Sequence, residues 1–159
     1  MSQYPSIYAG QFPDADTLQA LAPMVAWKTA SAAARTSTTL TIDPDLQVTL
    51  AANAAYDITA DVIYAAVAGG FAWGWTVPSG AGGGYTAAYT AAGSGAGSYA
   101  YVWSSAQEAG NGNPLGIRIG GTIWTSSAGG TLGLTWAAFT SGDSVLTGAG
   151  SILRAKRIA

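Results

Sequence analysis

Thr131-Leu132-Gly133-Leu134-Thr135-Trp136-Ala137-Ala138-Phe139 is the stretch that decides the fold. In an extended chain Leu132, Leu134, Trp136 and Ala138 fall on one side and Gly133, Thr135 and Ala137 on the other. That period of two marks a strand with one face against a core. Turn formers flank it, Ala128-Gly129-Gly130 before and Ser141-Gly142-Asp143 after.

The rest of the chain reads as more strands built to pack on this one. Leu46, Val48 and Leu50 alternate, as do Tyr56, Ile58, Ala60, Val62 and Tyr64, and Phe71, Trp73 and Trp75. Three large aromatics at period two make a dense packing surface. Leu115, Ile117 and Ile119 alternate again, and Ile123 continues them past Gly120-Gly121, glycines that indicate a bulge or a close backbone approach. Val145-Leu146 is a short segment, and Gly150 to Ile158 gives a last strand with Leu153 and Ala155 on one face. The Thr-rich run from Thr36 predicts a strand ending in a turn at Asp43-Pro44-Asp45. Tyr85 to Tyr89 and Ser98 to Trp103 are weaker strands on either side of a Gly-rich link, and Glu108 to Pro114 reads as a turn-rich loop. About eight or nine strands at this spacing, with no long helix, predict an all-β fold over residues 36–159, an antiparallel sandwich or a jelly roll.

Residues 1–35 differ and read as an anchoring arm. Asp16 can cap a helix and Gln19 can complete a capping box; Leu18, Leu21 and Ala22 form its apolar face, and Pro23 limits its length. So short a helix is marginal alone in water and must dock on something. Phe12, Leu18, Leu21, Val25 and Trp27 are the residues expected to anchor it.

Composition narrows the functions. In 159 residues, apolar types make up 49%, enough for one sizeable core. Charged residues are 9%, far below the roughly 25% of ordinary soluble domains, so part of the surface is expected to be buried against other copies. A net charge of −2 leaves no footprint for nucleic acid, and strand alternation puts Arg154 and Lys156 on one side and Arg157 on the other, a poor phosphate groove. No apolar run approaches the about 18 residues of a transmembrane helix. The start, Met1-Ser2-Gln3-Tyr4-Pro5, lacks a basic, apolar secretion signal, so work outside a cell implies release by a route such as lysis.

With no His and no Cys, a Ser-His-Asp triad, a thiol nucleophile, a disulfide framework and the usual zinc sites are excluded. The glycine loops at 80–84 and 93–97 lack the Gly-Lys-Ser/Thr of a phosphate-binding loop and read as turns. Asp57 and Asp61 share a strand face but lie about 13 Å apart along it. That is too far for the roughly 5 to 9.5 Å of a glycosidase pair. Asp43 and Asp45 flank a proline and read as solvated turn acids; a calcium ion held with backbone carbonyls is the alternative. Neither cofactor nor metal is expected. Tyr85, Tyr89, Tyr99, Tyr101 and Trp103, with the glycine loops, are the residues that an exposed sugar- or receptor-binding platform would use.

Two sets of segments carry a resemblance. One is Gly121-Thr-Ile-Trp, Ala128-Gly-Gly-Thr-Leu-Gly-Leu-Thr-Trp-Ala and Gly150-Ser-Ile-Leu-Arg-Ala-Lys-Arg-Ile. The other, upstream, is Arg35-Thr-Ser-Thr-Thr-Leu, Asp43-Pro-Asp-Leu, Ala54-Ala-Tyr and Phe71-Ala-Trp-Gly-Trp-Thr-Val-Pro. Over residues 35–158 the chain resembles small virion proteins of tailed phages of actinobacteria, of the minor tail or head decoration type. It departs from them at Trp136-Ala-Ala, where relatives carry Trp-Ala-Gln followed by Asn. The resemblance implies a jelly-roll-like domain, trimeric and carried on the particle surface, with the major capsid protein or a tail protein as partner. A non-enzymatic capsid decoration protein is thus the expected function. The alternatives are a minor tail protein, a receptor- or carbohydrate-binding module, and, least favoured, a hydrolase working through carboxylates.

Overall fold

The computed structural model describes residues 9–10, 12, 22–90, 96–103 and 106–158. Eleven strands run through them: β1 Met24–Trp27, β2 Thr41–Leu50, β3 Ala55–Ala66, β4 Phe71–Thr76, β5 Gly82–Thr90, β6 Ala96–Val102, β7 Gln107–Ala109, β8 Gly112–Trp124, β9 Gly130–Ala138, β10 Val145–Thr147 and β11 Ile152–Arg157. No helix occurs among the described residues. The short helix expected around Asp16 to Leu21 falls outside them.

All strand pairs are antiparallel. The large sheet runs β1-β11-β3-β8-β5-β6, with β10 also paired to β3, and the small sheet runs β2-β9-β4-β7. The pairs nest: the first strand meets the last, β2 meets β9, β3 meets β8 and β4 meets β7. Nested pairs dealt alternately to two sheets are the wiring of a jelly roll, and the β5–β6 hairpin is added to the edge of the large sheet. The fold expected from periodicity is therefore the fold observed.

Alternation does what it should. Tyr56, Ile58, Ala60, Val62 and Tyr64 of β3 are buried against Leu132, Leu134 and Trp136 of β9 and Phe71 and Trp73 of β4 in one continuous core. Gly121 settles the reading of the glycine pair. β8 keeps its register with β3 through Gly120-Gly121, so there is no bulge there. A Cβ on Gly121 would stand 2.5 Å from both the Gly84 carbonyl oxygen and the Tyr85 Cβ, so close approach of β5 is what requires glycine.

Three local expectations are corrected. Residues 36–40 are not a strand; their backbone instead caps the end of the small sheet, where Ser37 O accepts from Ala138 N and Thr36 O from Gly142 N. Asp43-Pro44-Asp45 is not a turn between strands but lies within β2, where the register with β9 shifts between Ile42 and Gln47. The supposed loop at 108–114 holds β7 and the start of β8, with Pro114 near an irregularity between Tyr64 and Ala66 of the partner strand. In addition, the sheet begins before residue 35. β1 pairs with β11, Ala32 N donates to Thr147 O, and Arg35 exchanges both backbone bonds with Val145.

Candidate functional site

The aromatic residues expected on the surface lie mostly inside. Tyr85, Ala87 and Tyr89 alternate inward along β5, and Trp103 follows β6 into the core, where all four are buried. Trp103 sits 4.7 Å from the Tyr85 ring and 5.3 Å from Trp75, and its Nε1 donates to Thr122 O at 2.8 Å. Tyr101 is half-buried, its hydroxyl 2.6 Å from that of Tyr89. The side chain of Tyr99 is outside what the structure describes. This cluster closes one flank of the sandwich and takes Tyr85, Tyr89 and Trp103 out of reach of a sugar. It also holds unpartnered polar atoms, since Trp73 Nε1, Trp75 Nε1 and the Tyr85 hydroxyl are buried without hydrogen bonds. Burial, with nearby Tyr101, raises the Tyr85 phenol well above its ordinary range; Trp75 opposes this weakly without reaching hydrogen-bond geometry. Burial alone pushes Tyr64 up to about 12.

The opposite flank is closed by charge. Alternation along β1 turns Met24 and Ala26 inward and Val25 and Trp27 outward. Lys28 continues the inward series, its backbone still paired with the residues that lead into β11, through Ser151 O and Gly150 N. Its ammonium is buried at 1% exposure and donates to Asp43 Oδ1 at 3.0 Å and Asp45 Oδ2 at 2.6 Å. Asp43 is itself fully buried. Its Oδ1 also accepts from the Asp45 amide at 3.0 Å, and its Oδ2 from Trp136 Nε1 at 2.9 Å and Thr147 Oγ1 at 2.7 Å. Burial pushes the Asp43 carboxyl up. The hydrogen bonds from Thr147, the Asp45 amide, Lys28 and Trp136 together outweigh that and hold it below the usual carboxylate range. Asp43 is therefore not a solvated turn acid.

Arg35 completes this flank. Its Cζ lies 3.6 Å from the Trp136 ring centroid, and its guanidinium donates to the carbonyls of Thr41, Trp136 and Ile42. Among the described residues no three His, Cys, Asp or Glu side chains stand together as metal ligands do.

The anchoring residues fare unevenly. Val25 and Trp27 stand outward on β1, 52% and 61% exposed, and Phe12 is 97% exposed. Leu18 and Leu21 lie outside the described residues. The outer face of the large sheet continues from this apolar edge. Trp27, Ile152, Asp61, Arg118, Ala88 and Ser98 stand in register across it. A shallow depression of ≈ 500 Å³ lies there, floored by Thr59, Gly120 and Thr86. Asp57 and Asp61 do share this face, but Asp61 is taken up by Arg118 Nε at 2.8 Å and by Arg154 at 4.0 Å.

No family model matches the chain, and no curated protein matches it. Among solved structures, a chain of infectious bursal disease virus Gx strain is similar at 6% identity and a TM-score of 0.29. The likeness covers 86% of this chain and 39% of that chain, so this chain spans well under half of the other's length. A likeness that slight bears on neither fold nor role.

Proposed function

We propose that this chain is a non-enzymatic structural protein of a tailed-phage virion, a trimeric decoration protein that binds the outer shell of the capsid and stabilises it. The observation that carries this reading is the apolar edge formed by Val25 and Trp27, exposed on the first strand of the large sheet where the N-terminal arm enters it. The resemblance over residues 35–158 and the jelly-roll wiring, which recurs in viral capsid and lectin domains, support it without deciding it.

In mechanism, the arm and the β1 edge dock on the major capsid protein while the sandwich supplies a stiff, weakly charged body. At about 25 cal/mol per Å² of apolar area, burying two such side chains and the arm favours docking, less the entropy of association. Burial of Tyr85, Tyr89 and Trp103 counts against a sugar-binding reading. A place on the tail is the alternative that binding experiments separate.

The test is co-sedimentation of the purified chain with particles lacking it. Wild type pellets with full heads, whereas Trp27→Asp and a chain starting at residue 22 do not. That truncation spares β1, Lys28 and Arg35, all of which a cut at residue 35 would remove. Binding that survives both changes overturns the mechanism, and binding to isolated tails alone moves the protein from head to tail.

A further inference from the structure

The ion pair between Lys28 and Asp43 has two additions, and together they form a reactive constellation. A second carboxylate, Asp45, touches the same ammonium at 2.6 Å. Two donors, Trp136 Nε1 and Thr147 Oγ1, converge on Asp43 Oδ2 at 2.9 and 2.7 Å. These are the parts that acyl transfer needs: an amine, a carboxyl carbon, a base for the amine's protons and an oxyanion hole. We propose that Lys28 and Asp43 join in an intramolecular isopeptide bond, with Asp45 as the proton carrier and Trp136 and Thr147 as the oxyanion donors. The inference is independent of the virion reading.

The step balances without any outside reagent. An ammonium proton passes along the 3.0 Å hydrogen bond from Lys28 Nζ to Asp43 Oδ1, leaving a neutral amine and a neutral acid. The nitrogen lone pair attacks Cγ, an Nζ–Cγ bond forms, and the negative charge develops on Oδ2 between the Trp136 and Thr147 donors. Asp45 takes a second proton from nitrogen and hands it to Oδ1. The Cγ–Oδ1 bond breaks, water leaves, and the carbonyl re-forms on Oδ2. Nζ keeps its third proton as the amide N–H, and Asp45 is again a carboxylate.

Burial supports each part. Lys28 and Asp43 are 1% and 0% exposed, so water is kept from the amide once it forms. Asp45 is 51% exposed, so it can exchange protons with solvent. The bond would tie the end of β1, at the edge of the large sheet, to β2, at the edge of the small one. In a chain without cysteine, that is a covalent staple between sheets.

Intact mass spectrometry of the denatured full-length chain tests this. The expected mass is lower than the sequence requires by one water molecule, and digestion yields one branched peptide linking Lys28 to Asp43. Lys28→Arg and Asp45→Asn are expected to show no loss of water, the latter with an unchanged β-type circular dichroism spectrum. A folded wild type at its full sequence mass overturns the proposal. So does a water loss that maps elsewhere, such as a succinimide. Loss of water that persists in Asp45→Asn overturns Asp45 as the base.

Discussion

At the flank where β1 meets β2, the core ends in a buried lysine, a buried aspartate and an arginine stacked on Trp136. At the flank where β5, β6 and β7 lie, it ends in Trp73, Trp75, Tyr85, Tyr89 and Trp103 packed ring against ring. Both seal the same sandwich. On the first flank, both Asp43 oxygens and the Lys28 ammonium are hydrogen-bonded. On the second, three polar atoms are buried without partners. A polar seal needs every group satisfied and breaks badly when one is removed. An aromatic seal tolerates a missing hydrogen bond because area and dispersion carry it.

The largest effect expected from this contrast is at Asp43. Measured against the Asp45→Asn chain, in which the pair stays ionic, adding Asp43→Ala leaves Lys28 buried without its anion and should cost about 3–5 kcal/mol in chemical denaturation. A loss under about 1 kcal/mol would mean that the charged flank carries little of the fold.

Opposite pH limits should also separate the flanks. Asp43 has its folded-state pKa held below the ordinary 3.8, so its contribution is present above that value and is lost as pH falls through the folded one. Tyr64, in the core between the flanks, goes from 10.0 to about 12, so its contribution is complete below 10.0 and declines as pH rises towards 12. Tyr85, on the aromatic flank, is raised in the same direction. Thermal melts of Asp45→Asn should therefore lose stability below about pH 4. In the isopeptide-linked wild type, where Asp43 no longer titrates, the acid limb shrinks and the alkaline one stays.

Smaller and of opposite sign is Tyr85→Phe. Removing an unpartnered buried hydroxyl should be neutral or stabilise by up to about 1 kcal/mol. A clear destabilisation would show that the hydroxyl has a partner, such as a bound water. Smallest of all is Arg118→Ala on the outer face: its pair with Asp61 is solvent-exposed, and the change should leave the denaturation midpoint essentially unmoved.

The two flanks were not equally legible in the sequence. β3, β4 and β9 could be read because large side chains repeat every second residue against small or polar ones. The same period was present at Tyr85, Ala87 and Tyr89, opposite Thr86 and Ala88, and it pointed inward. Surrounding glycines made that hairpin look like surface, when they in fact let β5 and β8 approach. The charged flank was hidden for another reason. Lys28 and Asp43 stand 15 residues apart, and only the closing of two sheets brings them together. One signal was available: Met24, Ala26 and Lys28 share the inward alternation of β1, which placed a lysine where a core residue belongs. β7 gave no signal, because three residues are too few to show a period.

The central claim, that this chain works as a surface-mounted building block, is tested most directly by electron microscopy of particles carrying a gold-labelled copy fused after Ala159. Label arrayed over the capsid exterior in groups of three is the expected result. Particles whose heads and tails stay bare while the labelled protein remains in the supernatant would contradict it.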